Sequence, residues 1–252
     1  MPRALICGIV LFTACAPAHG QEKLLAPRTL PGGGILDPGE KAGYFPNPTG
    51  GIDALKLATG AVLWSSKEAN RPLFATENRL YAMKGGGNKI RIVALETGKA
   101  GRLLFESSPI PLPEWASVDV TYGRKFHAGA RLSPTELFLI WEAQAFYAGG
   151  AAPPPELLER SRKNAKGVAR IDADHGKVTP LSDKEIAAGK FFPLAEQMML
   201  IVGDFTFREE GDTAKKPANP QLQRRFVEAL NPSMEVVWRR EIAPQAVLLP
   251  LP

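Results

Sequence analysis

The chain has only two cysteines, Cys7 and Cys15, and both lie within its first twenty residues. A mature chain starting at Gln21 therefore has no disulfide, no thiolate nucleophile and no thiolate metal site. Histidine is nearly as scarce. Beyond His19 there are His127 and His175, far apart in sequence. No G-x-S-x-G elbow and no H-E-x-x-H pair is present, which removes two common routes to hydrolysis. The charges are interspersed, 31 basic against 26 acidic side chains. No basic face with interleaved aromatics forms, so a nucleic-acid partner is not expected. No apolar run is long enough to span a bilayer and remain there.

What is present begins with a leader. Arg3 supplies a positive start, Ala4 to Phe12 an apolar stretch, and Ala18-His19-Gly20 a small-residue cleavage site before Gln21. Residues 1–20 thus read as a signal peptide. An alternative processing signal overlaps it. Phe12-Thr13-Ala14-Cys15 is similar to a bacterial lipoprotein box, in which Cys15 would be lipidated. Either route takes the protein out of the cytoplasm, to the periplasm or beyond, with membrane contact only through such an anchor. Loss of Arg3 with the leader lowers the formal net charge of +5 by one.

The body of the chain repeats one figure: a strand, a tight turn and a second strand closing on a bulky residue. Gly50 to Lys67 holds the clearest copy; Lys89 to Glu106, Gly167 to Lys184 and Arg225 to Ile242 hold the others. The apolar residue before each turn serves as a ruler: Leu55, Leu95, Ile171 and Leu230 stand 40, 76 and 59 residues apart. A four-stranded propeller blade takes about 40–45 residues. The longer steps hold one blade each plus inserted sequence. Gly60 gives the first turn the positive φ it needs. Trp64 and Trp238 end the last strand of their repeats, where Phe105 and Leu181 stand in the other two. A bulky side chain there is expected to wedge against the adjacent blade.

Asp53 to Trp64, DALKLATGAVLW, resembles the repeat of the pyrroloquinoline-quinone-like (PQQ-like) β-propeller proteins, whose usual pattern is close to A-L-D-x-x-T-G-x-x-x-W. The second copy lacks one residue before Thr97-Gly98. The third has His175-Gly176 in place of Thr-Gly, and the fourth has Asn231-Pro232-Ser233. The resemblance implies an all-β fold of four-stranded antiparallel blades, about four here, as a small ring or part of the larger ring usual in that family. It implies little about activity, because the family spans dehydrogenases and scaffolds. Its quinone-dependent dehydrogenases use adjacent cysteines, an aromatic floor and a calcium ion held by acidic and amide side chains. Those cysteines are absent here and no calcium ligands can be assigned. No catalytic, cofactor-binding or metal-binding residue is therefore expected.

Between the repeats, residues 21–49 are rich in Pro and Gly and read as an irregular lead-in, with the repeats occupying 50–252. Gly32-Gly33-Gly34 lacks the Gly-Lys-Ser/Thr of a phosphate cradle. Strands are expected at Arg71 to Ala75 and Arg79 to Met83, and a hairpin at Gly85-Gly86-Gly87-Asn88. Phe126 to Leu132 and Leu137 to Tyr147 read as inner strands of the third blade, with Glu142 and Gln144 on one face and Trp141 and Ala143 on the other. Insertions are expected near 151–166, with a short helix over Glu156 to Lys166 whose basic end is a solvated face, and near 209–224, a polar excursion. Asp172-Ala173-Asp174-His175-Gly176 begins like a calcium loop but lacks its later acidic ligands, and reads as the repeat's turn. Ser182 to Glu185 has capping-box spacing. Phe191 to Ala195 and Gln197 to Val202 read as returning strand.

Val247 to Pro252 is similar to Lys190 to Ala195, the expected opening of the fourth blade. The last strand either completes the first blade or opens a further one. Scattered acids such as Glu114, Asp119 and Glu142 cannot be paired from sequence. Two functional readings follow. One is an extracytoplasmic, non-catalytic propeller that binds a protein partner as a binding or scaffold module. The other is a quinoprotein-like oxidoreductase or a fragment of one.

Overall fold

The structure, a computed structural model, describes residues 24–98, 100–119, 124–145, 155–156, 162–189, 191–192, 194, 199–211 and 222–246. Eighteen strands, one α-helix and a 3-10 turn at Pro31–Gly33 lie among them, the strands in four antiparallel sheets arranged as a four-bladed propeller. The leader and Cys15 lie outside the described residues, as do 247–252.

Blade 1 is built from β1 (Thr29–Leu30), β2 (Gly34–Leu36), β3 (Ala42–Pro46), β4 (Ile52–Lys56) and β5 (Val62–Ser66), side by side in chain order. Its inner strands come from the stretch expected to be an irregular lead-in. The glycines that disguise it are there for close approach. A Cβ on Gly34 would come within 2.5 Å of the Phe45 ring, and one on Gly43 within 2.8 Å of Leu30 and Phe45. Glycine thus lets these strands pack where larger residues would collide. Among the described residues blade 1 has five strands, all from residues 29–66.

Blade 2 comprises β6 (Arg71–Ala75), β7 (Arg79–Gly86) and β8 (Lys89–Glu96), with β9 (Leu103–Glu106) and β10 (Ile110–Pro111) sharing the outer edge of β8. Blade 3 comprises β11 (Arg124–Leu132), β12 (Glu136–Ala145), β13 (Lys163–Asp172) and β14 (Val178–Pro180). Blade 4 comprises β15 (Met199–Val202), β16 (Phe205–Gly211), β17 (Leu222–Leu230) and β18 (Val236–Ala246). The four ruler residues Leu55, Leu95, Ile171 and Leu230 each fall at the end of the strand that leads into a blade's last hairpin, β4, β8, β13 and β17.

Three apolar seams hold the blades together. Ile52, Ala54 and Tyr44 of blade 1 meet Leu80, Val93 and Leu95 of blade 2. Ile92 and Tyr81 of blade 2 meet Leu137, Leu139 and Ile171 of blade 3. Phe45 and Leu55 of blade 1 meet Phe207, Val227 and Ile242 of blade 4. Most of these side chains are wholly buried, and burial of each contributes about 1.5–3 kcal/mol. The blades therefore follow in the order 4, 1, 2, 3. The chain ahead of blade 1 ties its far ends: Leu25 and Leu132 of β11 exchange backbone hydrogen bonds of 2.8 and 3.0 Å before the chain crosses to β1.

Each of these seams carries the same joint. Opposite Leu55, Leu95 and Leu230 the outer strand slips register by one residue, leaving Leu63, Leu104 and Val237 as bulges. A bulge re-aims the residue after it. Those residues are Trp64, Phe105 and Trp238, and each lies on a glycine of the next blade's turn. A Cβ on Gly101 would come within 2.7 Å of Trp64, on Gly176 within 2.5 Å of Phe105, and on Gly60 within 2.7 Å of Trp238. All three glycines have φ between 64° and 71°, so the turn and the contact both require glycine. The indole N–H of Trp64 donates to the Thr97 carbonyl at 3.0 Å and that of Trp238 to the Leu57 carbonyl at 2.6 Å.

Blade 3 lacks this joint. β14 pairs with β13 in unbroken register and makes no bulge. Leu181 turns instead toward α1 (Asp183–Ala188) and the segment behind it, packing with Ile140, Val168, Phe191 and Ile186. The facing turn of blade 4 has Asn231-Pro232-Ser233 and no glycine.

Three expectations are corrected. Residues 163–166 belong to β13, where Lys163-Asn164-Ala165-Lys166 alternates across the sheet, and not to a helix. Glu209 to Gly211 and Leu222 to Arg224 are likewise strand; 212–221 lie outside the described residues. Phe191, Phe192 and Leu194 form no strand and pack on blade 3, and among the described residues the first strand of the fourth blade is β15; 193 and 195–198 lie outside the described residues.

Candidate functional site

The residues marked out in the sequence are for the most part engaged in structure. Asp172 Oδ1 accepts from the backbone N–H groups of Asp174 and His175, at 3.0 and 2.7 Å, and contacts His175 Nδ1 at 3.0 Å. These donors hold the Asp172 carboxyl below the usual range, the His175 backbone N–H contributing most. The motif is a turn, as expected. Asp174 pairs with Arg79 of blade 2 at 2.6 Å, so this turn also serves the joint. Asp119 accepts from the Gly87 N–H at 2.9 Å and ties down the glycine hairpin. His127 sits in β11 directly opposite Glu142 of β12. Glu106 accepts from Lys84 and Arg91 and is held below the ordinary carboxylate range, Lys84 first.

Blade 4 carries the densest charge. On the face turned away from blade 1, Glu228 of β17 is 4% exposed. Arg208 donates to it through Nε and Nη2 at 3.0 and 2.9 Å, and Arg239 approaches its other oxygen at 3.5 Å. The Arg239 guanidinium also lies 3.9 Å from the centre of the Phe226 ring. Arg224 forms a fork with Glu241, as Arg225 does with Glu209. These bidentate pairs lock the sheet and leave its carboxylates occupied.

The free face of blade 3 differs. Its strands alternate, so Leu137, Leu139, Trp141 and Ala143 face blade 2 while Phe138, Ile140, Glu142 and Gln144 face away. α1 and the residues after it cover the lower part of that face. A capping box fixes the start of α1: Ser182 Oγ accepts from the Glu185 N–H, and Glu185 accepts from the Ser182 N–H at 2.9 Å. Phe191 stacks on Phe138 with centroids 5.4 Å apart. Among the described residues nothing packs on the upper part. There Glu142 stands opposite Lys166, and Gln144 opposite Asn164.

Opposite charges directly across a sheet ordinarily pair. Lys166 instead extends its ammonium over the Phe192 ring, 4.9 Å from the centroid. Among the described residues the side chains of Glu142, Gln144, Asn164, Lys166 and Asp183 make no hydrogen bond or ion pair, and all but Glu142 are exposed to solvent. Two hollows meet at Lys166. One, of about 410 Å³, is lined by Lys166, Asp183, Ile186, Ala187, Phe191 and Phe192. The other, of about 390 Å³, is lined by Glu142, Gln144, Asn164 and Lys166 with Ala143 and Ala165. They share Lys166 as a wall; the hollow at α1 is lined mostly by apolar side chains and the one on the strands mostly by polar ones, and the pair is called the trough below.

The alternation of β12 placed Glu142 and Gln144 on one face. Asn164, Lys166, Phe191 and Phe192 were missed. The signal for the first two was the period-two run KNAKGVARID; for the phenylalanines no local pattern separates a covering segment from a strand. Among the described residues no group of three or more His, Cys, Asp or Glu gathers as a metal site would.

No protein-family model matches the chain, and no curated protein matches it. Among solved structures it is similar to the apo form of AtxE2 isopeptidase, at 12% identity and a TM-score of 0.30, over 86% of this chain. The chain spans 38% of the length of that protein. A likeness of that degree assigns neither family nor activity.

Proposed function

We propose that this protein is an extracytoplasmic, non-catalytic β-propeller of the PQQ-like kind, and that it binds a partner along the free face of blade 3. The observation that carries this reading is the trough at Lys166. It sets an apolar hollow beside Glu142, Gln144, Asn164, Lys166 and Asp183, whose side chains make no hydrogen bond or ion pair among the described residues, while in blade 4 Arg208, Arg224 and Arg225 are paired with Glu228, Glu241 and Glu209 within the sheet. A cleft that combines an apolar wall with a few convergent polar groups is the usual form of a binding site. Support for the PQQ-like kind comes from the joints, where the tryptophan of one repeat lies on the turn of the next at Trp64 and Trp238. Support for export comes from the leader, Arg3 followed by Ala4 to Phe12 and a small-residue cleavage site.

Quinone uptake tests the non-catalytic half of the reading. The purified exported protein is incubated with pyrroloquinoline quinone and Ca²⁺, desalted and scanned for the cofactor's absorbance. The reading predicts no retained chromophore and no dye reduction with alcohols or sugars. One bound quinone per chain, with dye reduction, would replace it by the oxidoreductase reading.

A further inference from the structure

The four turns that lead into the outer strands share one backbone. Each is closed by the same hydrogen bond, from the Lys56 N–H to the Ala61 carbonyl, Glu96 to Arg102, Asp172 to Lys177 and Asn231 to Glu235, at 2.8, 2.8, 2.9 and 3.0 Å. The residue before each acceptor stands in the left-handed region: Gly60, Gly101, Gly176 and Met234, with φ of 66°, 64°, 71° and 64°. In blades 1, 2 and 3 this seat is a buried glycine, and the aromatic ring docked on it is the wedge of the neighbouring blade. In blade 4 the seat holds methionine, 55% exposed, beside Val236 at 48% and Val237 at 46%. We infer that Met234 is a stop: its side chain fills the seat of blade 4, so that neither blade 3 of the same chain nor a blade of a second copy can dock there by the joint used elsewhere.

A Cβ on any of the three seat glycines would come within 2.7 Å of the docked ring. On this backbone, then, a side chain at the seat points to where the wedge lies, and Met234 occupies that place. The joints also run one way round. The wedge of blade 4 sits on blade 1, that of blade 1 on blade 2, and that of blade 2 on blade 3. The seat of blade 4 is the one left over. Its natural counterpart would be a wedge from blade 3, four residues beyond that blade's seat, where Trp64, Phe105 and Trp238 stand in the others. Blade 3 has the exposed Pro180 there. Stability does not account for the methionine. An L side chain is strained at positive φ, and one so exposed gains little burial to offset the strain. Strain kept without a gain in packing marks a position held for another purpose. An open glycine seat at the end of a row of blades would admit a further blade, and a head-to-tail contact of that kind grows into filaments unless it closes. The stop concerns the rim of blade 4 and holds whether or not the trough binds a partner.

The test compares the intact exported protein with Met234→Gly, Met234→Ala, Pro180→Trp and the Pro180→Trp, Met234→Gly double variant, by thermal melting and by light scattering over a range of concentrations. Met234→Gly is relieved of strain and is expected to melt about 2–4 °C higher. Met234→Ala keeps an L side chain at the same φ and is expected to show no rise. Pro180→Trp alone supplies a wedge but finds the seat filled; it is expected to stay monomeric, again with no rise. With both changes the wedge has a seat to reach. A monomer whose melting temperature exceeds the sum of the two single shifts would place blade 3 on blade 4 of the same chain. A mass that grows with concentration would place it on a second copy. Both results support the stop. A double variant that stays monomeric with additive shifts would overturn it, and so would Met234→Gly melting no higher than wild type. If Pro180→Trp perturbs the fold, seen as a displaced Trp238 indole N–H resonance, Pro180→Phe carries the same comparison with a smaller ring.

Discussion

The indole N–H of Trp238 donates to the carbonyl of Leu57 at 2.6 Å, across 181 residues of chain. Beside it Arg240 Nε donates to the Gly60 carbonyl at 2.8 Å. These contacts fasten the last blade onto the first. Trp238→Ala should therefore cost about 3–5 kcal/mol of stability in urea unfolding, by loss of a large buried ring. Trp238→Phe keeps most of the packing but leaves the Leu57 carbonyl unpaired, at about 1–3 kcal/mol. A loss below about 0.5 kcal/mol for the alanine variant would place it in the range of an ordinary surface change and unmake the joint.

Gly60→Ala should be costly as well, in spite of its small size. The added methyl would meet the Trp238 ring at 2.7 Å, and φ of 66° is unfavourable to any L side chain. Gly203 has φ of 56° but open space around it. Comparing Gly60→Ala with Gly203→Ala in thermal melts separates the two terms. The Gly60 variant should melt lower, and equal melting temperatures would show that the contact with Trp238 adds nothing to the backbone strain.

The missing joint predicts where the ring opens. Among the described residues β14 makes no bulge, Leu181 packs on its own blade, and the turn between β17 and β18 has no glycine. Local openings follow the elements with the fewest buried contacts. Amide exchange should be fastest in β14 and β15 and slowest in β4 and β8. Uniform protection across all four blades would show that another contact closes the seam.

Tyr44 is expected to steepen the loss of stability at alkaline pH. Burial pushes its pKa well above 10, with the Asp37 carboxylate adding to the shift, while its ring lies 5.7 Å from that of Trp64. The folded form holds its proton where the unfolded chain gives it up. The resulting stability is fully present below about pH 10, the ordinary tyrosine value, and is lost as pH rises through the folded pKa. Wild-type stability should fall above that pH, and Tyr44→Phe should fall less steeply. Parallel curves would assign the decline to other groups.

Much of this was written locally. The turn after each ruler residue, and the bulky residue beyond it, pointed to the blade count and to the joints at Trp64, Phe105 and Trp238, because a tight turn and a wedge at that spacing answer one need. What escaped was set by tertiary contact. Gly34 and Gly43 look like loop residues until Phe45 and Leu30 are seen to occupy the space of a side chain. Lys163 to Lys166 carry helix-like charge but alternate across β13, and the pairing with β12 decides the outcome. The trough was half legible, through Glu142 and Gln144. Its other half comes from a strand misread as helix and from a covering segment misread as strand.

All of these expectations presuppose that the four blades form one self-standing unit. Light scattering on size-separated protein, followed by a thermal melt, tests this most directly. The account predicts a monomer with one cooperative transition, since the joints at Trp64, Phe105 and Trp238 run unbroken through blades 4, 1, 2 and 3. Aggregates, or two separated transitions with blade 3 or blade 4 melting alone, would contradict it.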